Sequence, residues 1–271
     1  MSEMAPRRAS VGDAVSAFFR RDITVSLSYS IPFVLELVAL AFTVLTFRFV
    51  GQLISPGRVP GGYFAFVSVG LALSAFLDAG VVALGSNLRQ EQVQGTLEAT
   101  LAAGLPIPSL AAGMAAYPMV AAAVSALAYV ALAGMLGADA PDANWTLGAL
   151  SAVIGSVSFV GLGLVGAALV LVIRRAAAAT GWLVAVLSLA GGEFFPPGLL
   201  PGWFEALANL SPFTQALRLA RRAILGGLPW SDSWGSLAIL ALMAAAYLAV
   251  GIGTLSLGIR HAKRTGSIGQ Y

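Results

Sequence analysis

Few side chains in this chain are equipped for chemistry, and the ones whose positions invite it are carboxylates. Its 271 residues include one histidine, one lysine and no cysteine. Without cysteine there is no disulfide, thiolate nucleophile or thiolate metal ligand. His261 lies in the basic run Arg260-His261-Ala262-Lys263-Arg264, so no H-E-x-x-H zinc site can form. No serine stands in a G-x-S-x-G elbow, and Lys263 follows Ala262 rather than glycine, which excludes a phosphate loop of the G-x-x-x-x-G-K-[ST] kind. No catalytic residue and no metal site are expected. If ATP drives this protein, another polypeptide binds it.

Glu36 and Asp78 fall inside long apolar blocks, where an ionisable group costs several kcal/mol unless it is paired or wet. Ion coupling or cargo contact is the sharp reading of the two; an interhelical polar clamp or a water-filled vestibule is the plain one. Glu91 and Glu98, seven residues apart, flank Gly95-Thr96-Leu97 in a polar stretch and can share one face of a helix.

The elements that position these residues must be membrane helices. Apolar residues make up 58% of the chain and charged ones 10%, with a mean hydropathy of +0.88, whereas a soluble domain carries roughly 25% charged residues. A hydrocarbon core about 30 Å thick needs roughly 20 apolar residues per helix. Six blocks qualify: about Ser28 to Val50, Gly61 to Ser86, Ile107 to Leu136, Trp145 to Ile173, a fifth from near Ala176 to Gly191, and Trp234 to Ile259. The expected fold is therefore an all-α membrane protein with six transmembrane helices, a permease domain over 28–271 after an N-terminal segment over 1–27. In that segment Val11, Val15, Phe18 and Phe19 recur at helical spacing, which suits an amphipathic helix in the interface, with a frayed basic tail as the alternative. Small residues such as Gly161, Gly163 and Gly166 allow helices to approach closely.

Placing both termini in the cytoplasm puts Arg7, Arg8, Arg20, Arg21, Arg89, Arg174, Arg175, Arg260, Lys263 and Arg264 inside, against Arg48, Arg58, Arg218, Arg221 and Arg222 outside. The positive-inside rule prefers that orientation. Arg218, Arg221 and Arg222 could share one helical face, either snorkelling to headgroups or attracting an anionic group.

The segment 87–106 follows the second block. Asn87 can cap a short helix, Gly95 interrupts it, and Thr96 can cap a second turn that ends at Gly104. Such a protruding turn can dock a partner or be an ordinary interfacial loop. Glu91-Gln92-Val93-Gln94-Gly95-Thr96-Leu97-Glu98 resembles the E-x-x-x-G-T-L-E element of the type-2 ABC transporter permeases. The resemblance implies that this is a cytoplasmic coupling helix. Glu91, Gly95, Thr96, Leu97 and Glu98 would then transmit the motion of a separate ATPase subunit, which would carry the ATP and Mg.

After the fifth block, Gly192-Glu193-Phe194-Phe195-Pro196-Pro197 precedes Pro201, Ser211-Pro212 and Arg218. By prolines alone this is a loop turn or a broken helix, and backbone breaks at membrane depth are tolerated only inside protein or along a wet cavity. It is similar to the re-entrant extracellular helices of the same permeases, here spanning 191–232. The resemblance implies a permease subunit in a bacterial plasma membrane, paired with a second copy or a paralogue. It implies outward movement of a hydrophobic or amphiphilic cargo such as a drug, lipid or glycolipid. The rival readings are an ion- or proton-coupled secondary carrier using Glu36 and Asp78, and a membrane enzyme or scaffold.

Overall fold

The computed structural model describes residues 11–265 apart from 29, 55–60, 97–99, 101–104, 173–175, 197 and 199–200, with backbone alone at 14, 30, 32, 33, 172, 176–179, 207 and 265. All regular structure among the described residues is helical. In chain order the helices are α1 Val11–Ser28, α2 Ser30–Leu53, α3 Gly62–Asp78, a π-helical turn Ala79–Ala83 and α4 Leu84–Val93. These are followed by α5 Ile107–Met135, α6 Trp145–Val172, α7 Ala176–Gly191, α8 Gly202–Asn209, α9 Pro212–Ile224 and α10 Trp234–Thr265.

Among the described residues five helices are long and apolar enough to cross a membrane: Val34–Leu53, Gly62–Val93, Ile107–Met135, Trp145–Leu171 and Trp234–Arg264. Helix α7, the fifth block of the sequence, has 16 residues, about 24 Å at 1.5 Å per residue. It is shorter than a hydrocarbon core of about 30 Å.

Local chemistry explains the boundaries. Pro108 opens α5, where a missing N–H costs nothing. At its end Gly137 takes a left-handed φ of 89°. Gly137 N donates to Gly134 O at 3.1 Å and Ala138 N to Ala133 O at 2.9 Å, so two end carbonyls are satisfied in the Schellman manner. Asn144 caps α6, its Oδ1 accepting from Leu147 N at 3.2 Å.

One boundary differs from expectation. Asn87 does not start a new helix: α3, the π turn and α4 run as one apolar rod from Gly62 to Val93, and Asn87 lies inside it. Gly85, two residues before Asn87, is accommodated inside the helix, no proline precedes it there, and burial of Leu84 and Leu88 on either side of Asn87 overrides its capping preference.

This rod and α6 form the centre of the bundle, with 67% and 61% of their apolar windows buried, against 11% for α2 and 22% each for α5 and α10. Towards one end Leu73, Leu77, Phe159, Phe213 and Leu217 pack together; towards the other, Phe18, Leu88, Met114, Leu164 and Leu255 do. Glycines set the closest approaches. A β-carbon on Gly163 would overlap the carbonyl of Gly80, and one on Gly161 would overlap the backbone of Tyr247.

Candidate functional site

The sequence-predicted residues fall into three places: the end of the bundle that carries Gly95, the opposite end that carries Arg221, and a cavity between α2 and the rod.

At the first end, α4 stops because Gly95 turns left-handed at φ 72°, a conformation glycine adopts at no steric cost. Gly95 N donates to Gln92 O at 3.1 Å, and the Thr96 hydroxyl reaches back to Glu91 O at 3.4 Å. Leu97 and Glu98 lie outside the described residues. Glu91 faces inward: it is 5% exposed, and its Oε1 accepts from Arg21 Nη1 of α1 at 2.7 Å. Arg21 also holds Asp22 at 2.8 Å, and its guanidinium lies 4.9 Å from the centre of the Phe18 ring. Burial works against the Arg21 charge, but the hydrogen bonds to Asp22 and Glu91 outweigh it and raise its pKa above the ordinary value. Phe18 in turn fills the space that the absent side chain of Gly113 leaves on α5. Through these contacts the elbow at Gly95 is tied to α1, and α1 to α5.

At the opposite end, α7 closes on Gly192, whose φ is 82°. Gly192 N donates to Leu189 O at 3.3 Å and Glu193 N to Ser188 O at 3.0 Å. The two carbonyls beyond the turn would be left without partners, and Arg221 of α9 supplies them. Nη1 donates to Gly192 O at 2.6 Å and Nη2 to Glu193 O at 2.8 Å. Nε and Nη2 also reach Phe66 O of α3, at 3.1 and 3.0 Å. The approach is so close that a β-carbon on Gly70 would lie 2.6 Å from Glu193 O and 2.9 Å from Arg221 Nη2.

Around this junction Glu193 is buried, with the hydroxyls of Ser188 and Ser74 as hydrogen-bonding neighbours. Phe194 stacks on Phe47 of α2 at 5.4 Å, and Phe195 and Pro196 are half-buried. Pro201 accepts from Phe204 N at 2.8 Å and from Glu205 N at 3.0 Å at the start of α8. Pro212 opens α9 in the first turn, where its lack of an N–H is harmless.

The three arginines do not share a face. Arg218 and Arg222 are exposed, and Arg218 Nη2 donates to Asn209 Oδ1 at 2.6 Å. Arg221 points inward with Leu217 and Ala220. Its position was visible in the spacing, since Leu217, Arg221 and Ile224 recur at i, i+4 and i+7 on the apolar side.

Between these ends lies a cavity of about 910 Å3. Glu36 and Asp78 both line it, as do Arg21, Glu91, Thr96 and Tyr129, so it reaches from the middle of the rod to the Gly95 end. Ser125 donates to Glu36 Oε1 at 3.3 Å. Tyr129 is within electrostatic reach of Glu36, Asp78 and Glu193, and Ser74 belongs both to the cavity wall and to the surroundings of Glu193. The π turn begins directly after Asp78. Such turns insert one extra residue into a helix and are frequent at functional positions.

A comparison with curated proteins finds no match for this chain. The family model described as ABC-2 type transporter matches residues 14–225, from the first turn of α1 to just past the end of α9. Members of this family are membrane permeases that work with an ABC ATPase subunit and are not themselves enzymes. With five apolar membrane-length helices, a cavity among them and a family match over most of its length, the chain belongs to the ABC-2 type transporters and is a multi-pass permease subunit of an ABC transporter.

Proposed function

We propose that this chain is half of an ATP-driven exporter in a bacterial plasma membrane, pairing with a second copy or a paralogue and carrying a hydrophobic or amphiphilic cargo outward. In this reading the chain crosses the bilayer six times. Helix α7 and the return through α8 and α9 make the short fifth crossing and its extracellular re-entrant segment. Both termini face the cytoplasm, α1 lies in the interface, and a separate ATPase subunit, which carries ATP and Mg, grips the segment around Gly95-Thr96-Leu97-Glu98.

One observation carries the reading: the rod that ends at Gly95 also forms a wall of the cavity, with Asp78 and Glu91 both lining it. A push on the elbow is thereby applied to the wall of the chamber with no flexible linker between them. The experiment is purification of the tagged chain in mild detergent from its own host, with identification of what accompanies it, followed by reconstitution. A bound ABC ATPase whose hydrolysis rises on adding cargo supports the proposal. Ion-driven transport without ATP, or an elbow labelled from the outside of intact cells, overturns it.

A further inference from the structure

The cavity is acidic along its length. Among its described lining residues Asp22, Glu36, Asp78 and Glu91 are acids, and Arg21 is the one base. Arg21 is already committed to Asp22 and Glu91. Glu36 has the Ser125 hydroxyl beside it, and neither Glu36 nor Asp78 has an ion-pair partner among the described residues.

A second, independent observation comes from Glu91. It is buried to 5% exposure and lines the same cavity, yet its Oε2 has no hydrogen-bond partner, although Oε1 is taken by Arg21. Even where the cavity holds a cation of its own, a carboxylate oxygen in its wall remains unmet. A buried acceptor without a partner is costly, and carboxylates at membrane depth are costly unless compensated.

The rest of the lining specifies what else a ligand must bring. Leu40, Val82, Tyr117 and Tyr129 supply apolar and aromatic surface, and tyrosine faces attract cations. The volume of about 910 Å3 fits a drug-sized molecule rather than a bare ion, since small-molecule sites occupy about 300–1,000 Å3.

The geometry points to a lipophilic monocation as the ligand of this cavity, with its apolar body against Leu40, Val82 and Tyr129 and its positive centre at Glu36 and Asp78. The inference narrows the cargo class and rests on the reading of this cavity as the cargo chamber. An anion of the same shape meets repulsion from every uncompensated carboxylate. A neutral lipid fills the volume but leaves the charges unmet.

The test is equilibrium binding of radiolabelled tetraphenylphosphonium to the full chain in phosphatidylcholine nanodiscs without nucleotide, beside tetraphenylborate, which has the same shape and opposite charge. Saturable binding of the cation, at least about ten-fold tighter than the anion, is expected. Glu36→Gln and Asp78→Asn should each weaken the cation by about ten-fold or more and narrow the gap to the anion, while Asp78→Glu stays within about three-fold of the parent. Equal binding of the two probes overturns the inference, as does unchanged cation binding in Glu36→Gln and Asp78→Asn. Should Asp78→Asn lose its melting transition, Glu36→Gln decides, because Glu36 is on the sparsely packed α2. With no ATPase in the assay, its failure leaves the permease assignment standing, and a failure to find an ATPase leaves the binding result standing.

Discussion

Arg221 grips the backbone of Phe66 and covers its ring at once: Nε and Nη2 donate to the Phe66 carbonyl at 3.1 and 3.0 Å, and Cζ lies 3.4 Å from the ring centre. One side chain thus joins α3, the end of α7 and α9. Its buried charge is met by three backbone carbonyls and an aromatic face, with the Glu193 carboxylate acting on it electrostatically rather than as a direct ion pair.

Removing that side chain strands the carbonyls of Gly192 and Glu193 in the protein interior, whereas Phe66, inside α3, keeps its helical donor. At about 1–3 kcal/mol for each unsatisfied group, Arg221→Met should lower unfolding free energy in detergent by at least about 2 kcal/mol. Arg222→Ala, next in sequence but exposed, should stay within about 0.5 kcal/mol. Denaturant titration followed by tryptophan fluorescence makes the comparison. Similar losses in both variants would dissolve the distinction between the two arginines.

Gly70 and Gly253 are both helical glycines, yet a β-carbon on Gly70 meets Glu193 O at 2.6 Å, whereas one on Gly253 meets nothing within 4 Å. Gly70→Ala should therefore destabilise by about 1–3 kcal/mol through overpacking. Gly253→Ala should be neutral or stabilising by up to about 1 kcal/mol. Paired melting curves are sufficient to check the sign.

The Arg21–Glu91 pair gives a prediction about coupling rather than stability. Arg21→Ala leaves the Glu91 carboxylate buried without its cation, which is the damaging way to break such a pair. Cargo-stimulated ATP hydrolysis by the reconstituted transporter should fall by about ten-fold or more in Arg21→Ala. The exchange Arg21→Glu with Glu91→Arg should recover part of it. A double-mutant cycle showing no interaction between the two positions would remove the link between α1 and the elbow.

Gly95 has φ 72° and open space where a β-carbon would go, so only the backbone conformation constrains it. Gly95→Ala should cost about 1 kcal/mol, Gly95→Asn less, since asparagine tolerates the left-handed region. Gly95→Pro cannot take that φ. Gly95→Pro and Glu98→Lys, each as a single variant, should abolish cargo-stimulated ATP hydrolysis while membrane insertion, followed by fractionation, stays intact.

The long helices were legible because their signal is cumulative. The ends of α5 and α6 follow from Pro108, Gly137 and Asn144, whose capping chemistry is local. Glu36 and Asp78 could be singled out because a charge in an apolar run is conspicuous, but their meeting in one cavity depends on how α2 leans on the rod. The inward turn of Glu91 was hidden for the same reason, as its partner lies 70 residues earlier in the chain. In the sequence Arg221 groups with Arg218 and Arg222 as charges that snorkel to headgroups or attract an anionic group. Only the packing of α9 against α3 and α7 reveals that its donors are spent on carbonyls that no pattern of side chains records.

The π turn at Ala79–Ala83 holds one residue more than α geometry would over the same arc, so the helix above and below it stays in phase despite the surplus. Deleting a single residue within 79–83 would let the turn relax to an unbroken α-helix with α4 on nearly its present face, whereas deleting two would rotate α4 by about 100° relative to Asp78. Both helical segments would survive the second change, but Glu91 would swing off Arg21 and out of the chamber wall, so the rod between chamber and elbow can give up only the residue stored in the turn.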